Sequence, residues 1–148
     1  MPSIIIDKRY CGPPNSGNGG YVCGRLARHI RGGAEVTLRA PPPLDKQLDI
    51  VAMDEGRFEL HDGATVVATA QPANVELTRQ EKVSFDEARA AELLTPVKPH
   101  EHLLPTCFVC GPARAQGDGL RIFAGPLASR SRNAPMKGRC LPSRRSWR

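Results

Sequence analysis

Gly12-Pro-Pro-Asn-Ser-Gly-Asn-Gly-Gly20 runs directly into Tyr21-Val-Cys-Gly-Arg-Leu-Ala-Arg-His-Ile30, and this junction decides the fold. The glycine-rich stretch reads as a loop that ends where a helix begins. Asn18 is placed to cap that helix, because its side-chain oxygen can accept from a first-turn amide. Val22, Cys23, Leu26, Ala27 and Ile30 recur at helical spacing and predict one apolar face over a helix from about Asn18 to Arg31. Arg28 and Arg31 suit the negative end of the helix dipole, and Gly32-Gly33 stop the helix. Gly19 and Gly20 fall where helix amides have no intrahelical partner. Without side chains there, a ligand oxygen can approach the backbone, and the dipole favours negative charge. The stretch supports two readings: a site that binds an anion or polarises a carbonyl, and a capped helix start whose glycines serve packing.

Two phosphate motifs fail at this junction. Gly12 and Gly17 have the spacing of a Walker loop, but Asn18 and Gly19 stand where it needs Lys and then Ser or Thr. The dinucleotide fingerprint needs a third glycine where Val22 stands. No alternation of strands and helices follows, so a nucleotide cofactor is not expected.

Outward from the helix the hydrophobic period changes to two. Ser3-Ile-Ile-Ile6 precedes the loop as a short strand. Downstream, Glu35–Arg39, Gln47–Met53, Arg57–His61 and Thr65–Ala70 alternate, with Pro41-Pro42-Pro43 as a break and Asp54-Glu55-Gly56 and Asp62-Gly63 as turns. Strands are predicted near residues 3–7, 34–40, 47–54, 57–62 and 64–71, with a further edge at Asn74–Leu77. One helix followed by an antiparallel meander is an α+β arrangement. Ser84 and Glu87 form a capping-box pattern for a helix through about Leu94. Thr95–Pro105, with its prolines and two histidines, reads as a linker. Cys107–Gly111 and Gly119–Phe123 look like the first loop and strand of a new element.

The net charge of +6 over 148 residues is unevenly placed. Residues 1–126 carry 14 Lys and Arg against all 15 acidic residues, whereas the last 22 carry seven Lys and Arg and no acid. The body is therefore near neutral. The tail, 127–148, has no hydrophobic period and reads as a disordered segment, a basic nucleic-acid arm or a stretch translated out of frame. With the basicity confined there, nucleic acid is not expected as a partner. No run approaches the length of a membrane span, and the N-terminus does not resemble a signal peptide, so a cytoplasmic protein with no membrane partner is expected.

Five cysteines, Cys11, Cys23, Cys107, Cys110 and Cys140, leave one over in any disulfide scheme, and free thiols are the expectation. His100, His102, Cys107 and Cys110 have a conceivable zinc spacing. No second Cys-x-x-Cys accompanies them, and two buried thiols beside exposed histidines is the preferred reading, with no metal. A redox role for the cysteine pair ranks lower, since no helical pattern follows it. Asp54, Glu55, Glu59 and Asp62 read as a solvated rim around the hairpins.

Gly12-Pro-Pro with Asn18-Gly-Gly-Tyr21 resembles the start of acyl-CoA thioesterase-like hotdog proteins. Cys107-Phe-Val-Cys-Gly111 with Gly119-Leu120 is similar to the opening segment of hotdog thioesterase domains of the phenylacetate-pathway type. The resemblance covers about residues 2–125. It implies a hotdog-like antiparallel sheet wrapped around one central helix over 1–80, a helix and Pro-rich linker over 81–106, and the start of a second, incomplete hotdog unit over 107–126. It further implies thioester hydrolysis with the amides of Gly19 and Gly20 polarising the carbonyl, Asn18 and Tyr21 contacting an acyl-CoA-type substrate, and assembly into a homo-oligomer. The departure is that the helix carries no carboxylate to serve as base, and His29, ten residues beyond Gly19, lies about 15 Å along the axis. A non-catalytic module that binds an acyl thioester or a partner subunit is the alternative.

Overall fold

The computed structural model describes residues 2–77, 82–96 and 98–127. These fall into two compact units, one made of residues up to 77 with 98–123, the other of 82–96 with 124–127. The basic tail beyond Leu127 lies outside the described residues.

The first unit is an α+β structure. Five strands, β1 (Ser3–Ile5), β2 (Ala34–Leu38), β3 (Gln47–Ala52), β4 (Phe58–Asp62) and β5 (Thr65–Pro72), form one antiparallel sheet in the order β1-β3-β4-β5-β2. Helix α1 (Gly19–Ala27) lies on one face, closest to β2 and β5. Period-two patterning explains the core. Ile4, Leu48, Ile50, Leu60, Val67 and Ala70 point to the helix, and Val22, Leu26 and Ile30 meet them from the other side. This is the apolar stripe expected from the helical spacing. Cys23 and Ala27, expected on the same face, are only half-buried at its border.

The helix is shorter than its sequence pattern. After Ala27 the chain tightens, and the amides of His29 and Ile30 bond to Leu26 and Ala27, three residues back. A final turn of 3-10 type satisfies orphan carbonyls and still carries Ile30 into the core. Strands β1, β2 and β3 also end two residues early, while β4 ends as expected and β5 runs one residue further. Asn74–Leu77 is not a strand: the Ala73 amide makes a last bond to Gly33, and Leu77 is then exposed. Gly119–Phe123 is not a strand either. Arg121 takes a φ of +51° and Gly119 one of +93°, which interrupt extended backbone. Two backbone bonds, Leu120 N–H to Phe108 and Ile122 N–H to Val109, join this segment to the cysteine turn.

The hairpin turns form where they were expected. Glu55 and Gly56 adopt positive φ between β3 and β4, as does Gly63 between β4 and β5. A bulge matters more for function. Leu60 pairs with Ala68 but His61 pairs with Val66, so Val67 is the extra residue on β5. Its carbonyl accepts from both Arg39 and Ala40, where the chain leaves β2. A bulge bends a strand and ends regular pairing. Here it releases β2 into Pro41–Pro43, whose Pro42 carbonyl then meets the amide of Gly17 at 2.8 Å.

In the second unit Ser84 caps α2 (Phe85–Glu92) with the complete capping box, Ser84 to the Glu87 amide and Glu87 back to Ser84. No helix among the described residues is long and apolar enough to cross a membrane.

Candidate functional site at the start of helix α1

Counting backbone donors around the glycine loop identifies the open ones. The amide of Gly12 bonds to Ser16, Ser16 to Pro13, Gly17 to Pro42, and Asn18 to Tyr10. The side chain of Asn18 accepts from Tyr21 N–H at 3.1 Å, and its carbonyl accepts from Val22. Gly19 and Gly20 are left, with no acceptor for either amide among the described residues. Asn18 thus caps the helix as expected and leaves the first two amides free. Gly19 is half-buried, and a Cβ there would stand 3.1 Å from the Leu38 side chain at the end of β2. Gly20 is exposed, and a Cβ would meet only the Asn18 oxygen, at 3.5 Å.

Gly17 holds this start against the core. A Cβ at Gly17 would lie 2.9 Å from Val22 and 3.1 Å from Ile6. Gly17→Ala should therefore cost about 1–3 kcal/mol through overpacking, read as a lowered chemical-denaturation midpoint. An unchanged midpoint would show that the helix start shifts freely.

Beside the helix start stands an aromatic cluster. Tyr21 stacks face to face on Tyr10 at 4.0 Å, and Phe108 packs edge-on to Tyr10 at 4.9 Å. The Tyr21 hydroxyl accepts from Arg25 at 2.9 Å. Phe108 escapes a reading of the sequence, because it lies far from the glycine loop and only the fold brings it to Tyr10. Residues 106–122 reach this place by a clamp centred on Arg114. Its guanidinium donates to the carbonyls of Thr106 (2.7 Å) and Arg9 (2.6 Å), to Asp118 (3.0 Å) and to the Cys11 sulfur (3.2 Å). Arg9 in turn pairs with Asp118 at 3.2 Å.

The clamp brings Cys107 to the helix cap. Asn18 Nδ2 donates to the Cys107 sulfur at 3.6 Å, so one side chain bridges the helix amide and the thiol. Burial pushes the Cys107 thiol up, but the amides of Cys110 and Val109, the Cys110 thiol and Asn18 more than offset it, and its pKa falls below the ordinary value. Burial, and the neighbouring Cys107, push Cys110 the other way.

The remaining candidates disperse. His100 faces Glu101 at 3.5 Å, and His102 accepts from the Leu104 amide, so neither histidine joins the two thiols. Among the described residues no three His, Cys, Asp or Glu side chains are grouped to hold a metal. His29 is exposed, its ring tilted against Phe58. Asp54 and Glu55 are exposed as expected of a rim. Glu59 and Asp62 are instead half-buried and paired, with His61 at 2.8 Å and Lys46 at 2.6 Å, and alternation with the buried Leu60 turns Glu59 to the sheet face opposite α1. The first turn of α1 contains no acid. Comparison with known proteins finds no matching family model, no matching curated protein and no matching solved structure.

Proposed function

We propose that the first unit is a hotdog-type module, its sheet wrapped on α1, that binds an acyl-CoA-type thioester at the start of that helix. The observation that carries this reading is the pair of amides on Gly19 and Gly20 with no acceptor among the described residues, the second on an exposed glycine. Both point along the positive end of the helix dipole, where a carbonyl oxygen gaining negative charge is stabilised. Asn18 fixes the turn, and Tyr21 offers an aromatic wall. Turnover is expected to be poor, since a positioned base typically supplies about 10²–10⁴-fold and α1 has no carboxylate. That absence favours the second reading, a non-catalytic module for an acyl thioester or a partner subunit. Among the described residues the outer strands β1 and β2 each leave one edge unpaired, which supports self-association through the sheet.

The test compares two substitutions at Gly20. Gly20→Ala adds a Cβ that fits beside Asn18 and should leave affinity for an acyl-CoA close to wild type. Gly20→Val crowds the amide and should weaken binding by roughly five- to tenfold, the worth of about one hydrogen bond. Calorimetric titration with acyl-CoA checks both. Equal affinity of all three proteins would overturn the assignment of these amides, and turnover at ordinary enzyme rates would overturn the expectation that the missing carboxylate limits hydrolysis.

A further inference from the structure

Cys107 and Cys110 lie on one helix-like turn, closed by a 2.8 Å bond from the Gly111 amide to the Cys107 carbonyl. Both are free thiols, three residues apart on that turn. Residues three apart on such a turn hold their Cβ atoms about 5–6 Å apart. A disulfide needs about 3.5–4.5 Å, so closure asks for a small adjustment and no unfolding. The turn is built for this spacing. A Cβ at Gly111 would lie 2.5 Å from the Cys107 carbonyl oxygen and 2.6 Å from that of Pro105, so only glycine allows the chain to close so tightly.

The two sulfurs are not equivalent. Cys107, only 3% exposed, accepts from Asn18 Nδ2 at 3.6 Å, and the hydrogen bonds around it hold its thiol below the ordinary range despite burial. Cys110 is part-exposed, and burial and the neighbouring Cys107 push its thiol up. The third nearby thiol is occupied elsewhere, with Cys11 donating to Thr106 and accepting from Arg114. Two thiols with no third ligand grouped beside them among the described residues make a poor metal site, and an asymmetric pair on one turn makes a good redox one.

We infer that Cys107 and Cys110 form a peroxide-responsive dithiol, in which Cys107 is the attacking sulfur and Cys110 the resolving one. The Cys107 thiolate attacks one oxygen of a hydroperoxide, the O–O bond breaks, and the other oxygen leaves as hydroxide. This gives a sulfenic acid on Cys107. The Cys110 sulfur then attacks that sulfur, the S–O bond breaks, and the departing oxygen leaves as water with the Cys110 proton. Two thiols are oxidised by two electrons, and hydrogen peroxide is reduced to two waters. The inference does not depend on the thioester reading, because its readout contains no thioester.

The experiment treats the whole chain with a small excess of hydrogen peroxide and follows intact and peptide masses. Wild type should lose two hydrogens, regain them with dithiothreitol, and show the bond between Cys107 and Cys110. Cys110→Ser should gain oxygen at Cys107, whereas Cys107→Ser should stay unmodified at Cys110. Asn18→Asp keeps a good helix cap but replaces the donor to Cys107 with a negative charge. It should slow oxidation roughly tenfold, the effect of about one pKa unit on the thiolate, without changing the circular dichroism. A wild-type disulfide to Cys11, Cys23 or Cys140 would overturn the inference. So would equal oxidation of Cys107→Ser and Cys110→Ser, or purified protein carrying one zinc per chain on the pair.

Discussion

Arg114→Ala should detach residues 106–122 from the rest of the first unit while leaving the sheet and α1 folded. The guanidinium is almost wholly covered and satisfies two backbone carbonyls, one carboxylate and one sulfur. It also lies 5.8 Å over the Phe108 ring. Hydrogen bonds to a charged group are worth about 1.5–3 kcal/mol each where both ends are buried. Asp118 remains part-exposed and is rehydrated on truncation, so the net loss should be about 2–4 kcal/mol, confined to this segment. Hydrogen exchange should then accelerate at the amides of Phe108, Gly111, Leu120 and Ile122 by at least tenfold, with core amides of β3 and β4 little affected. Arg114→Lys should fall in between, since a point charge cannot reach all four acceptors of the planar fork. Unchanged protection at Phe108 in Arg114→Ala would show that aromatic packing alone holds the segment.

Leu26→Ala should be the most damaging single truncation in the first unit. Leu26 is fully buried on α1 among residues contributed by the sheet. Leucine to alanine in such a core costs about 2–5 kcal/mol, with the upper end reached where the cavity cannot collapse. Here the lining comes from a five-stranded sheet and a capped helix, neither of which moves easily, so about 3–5 kcal/mol is expected. Against a typical total of about 5–15 kcal/mol, that is a large share. Leu120→Ala, at a residue 55% exposed, should change stability by less than about 0.5 kcal/mol. Urea unfolding of both variants checks the contrast, and similar losses for the two would mean that the helix does not anchor the core.

The periodic elements were legible because their physics is local. Asn18, Ser84 and the two hairpin turns act on neighbours within four residues, and each does what its residue type suggests. Val22 and Leu26 were legible because burial follows the 3.6-residue period. The site was half legible. Gly19, Gly20 and Asn18 announce a helix start, but nothing near them in the chain announces Cys107 or Phe108. Those residues arrive through Arg114, whose partners Arg9 and Thr106 lie almost a hundred residues apart. An arginine in a loop usually reads as solvated surface. Only the fold shows that this one is covered. Gly119–Phe123 misled for a related reason, since its alternating residues suggest a strand while Arg121 and Gly119 hold it in positive φ.

The bond between Asn18 and Cys107 spans 89 residues of chain, and synthesis is directional. At about 5–20 residues per second, the helix cap emerges roughly 5–20 s before the thiol that lies against it. During that interval α1 can nucleate and β1 to β5 can pair, while the Tyr10–Tyr21 face stays uncovered. The nascent chain therefore passes through a stage with a finished sheet and a bare helix start.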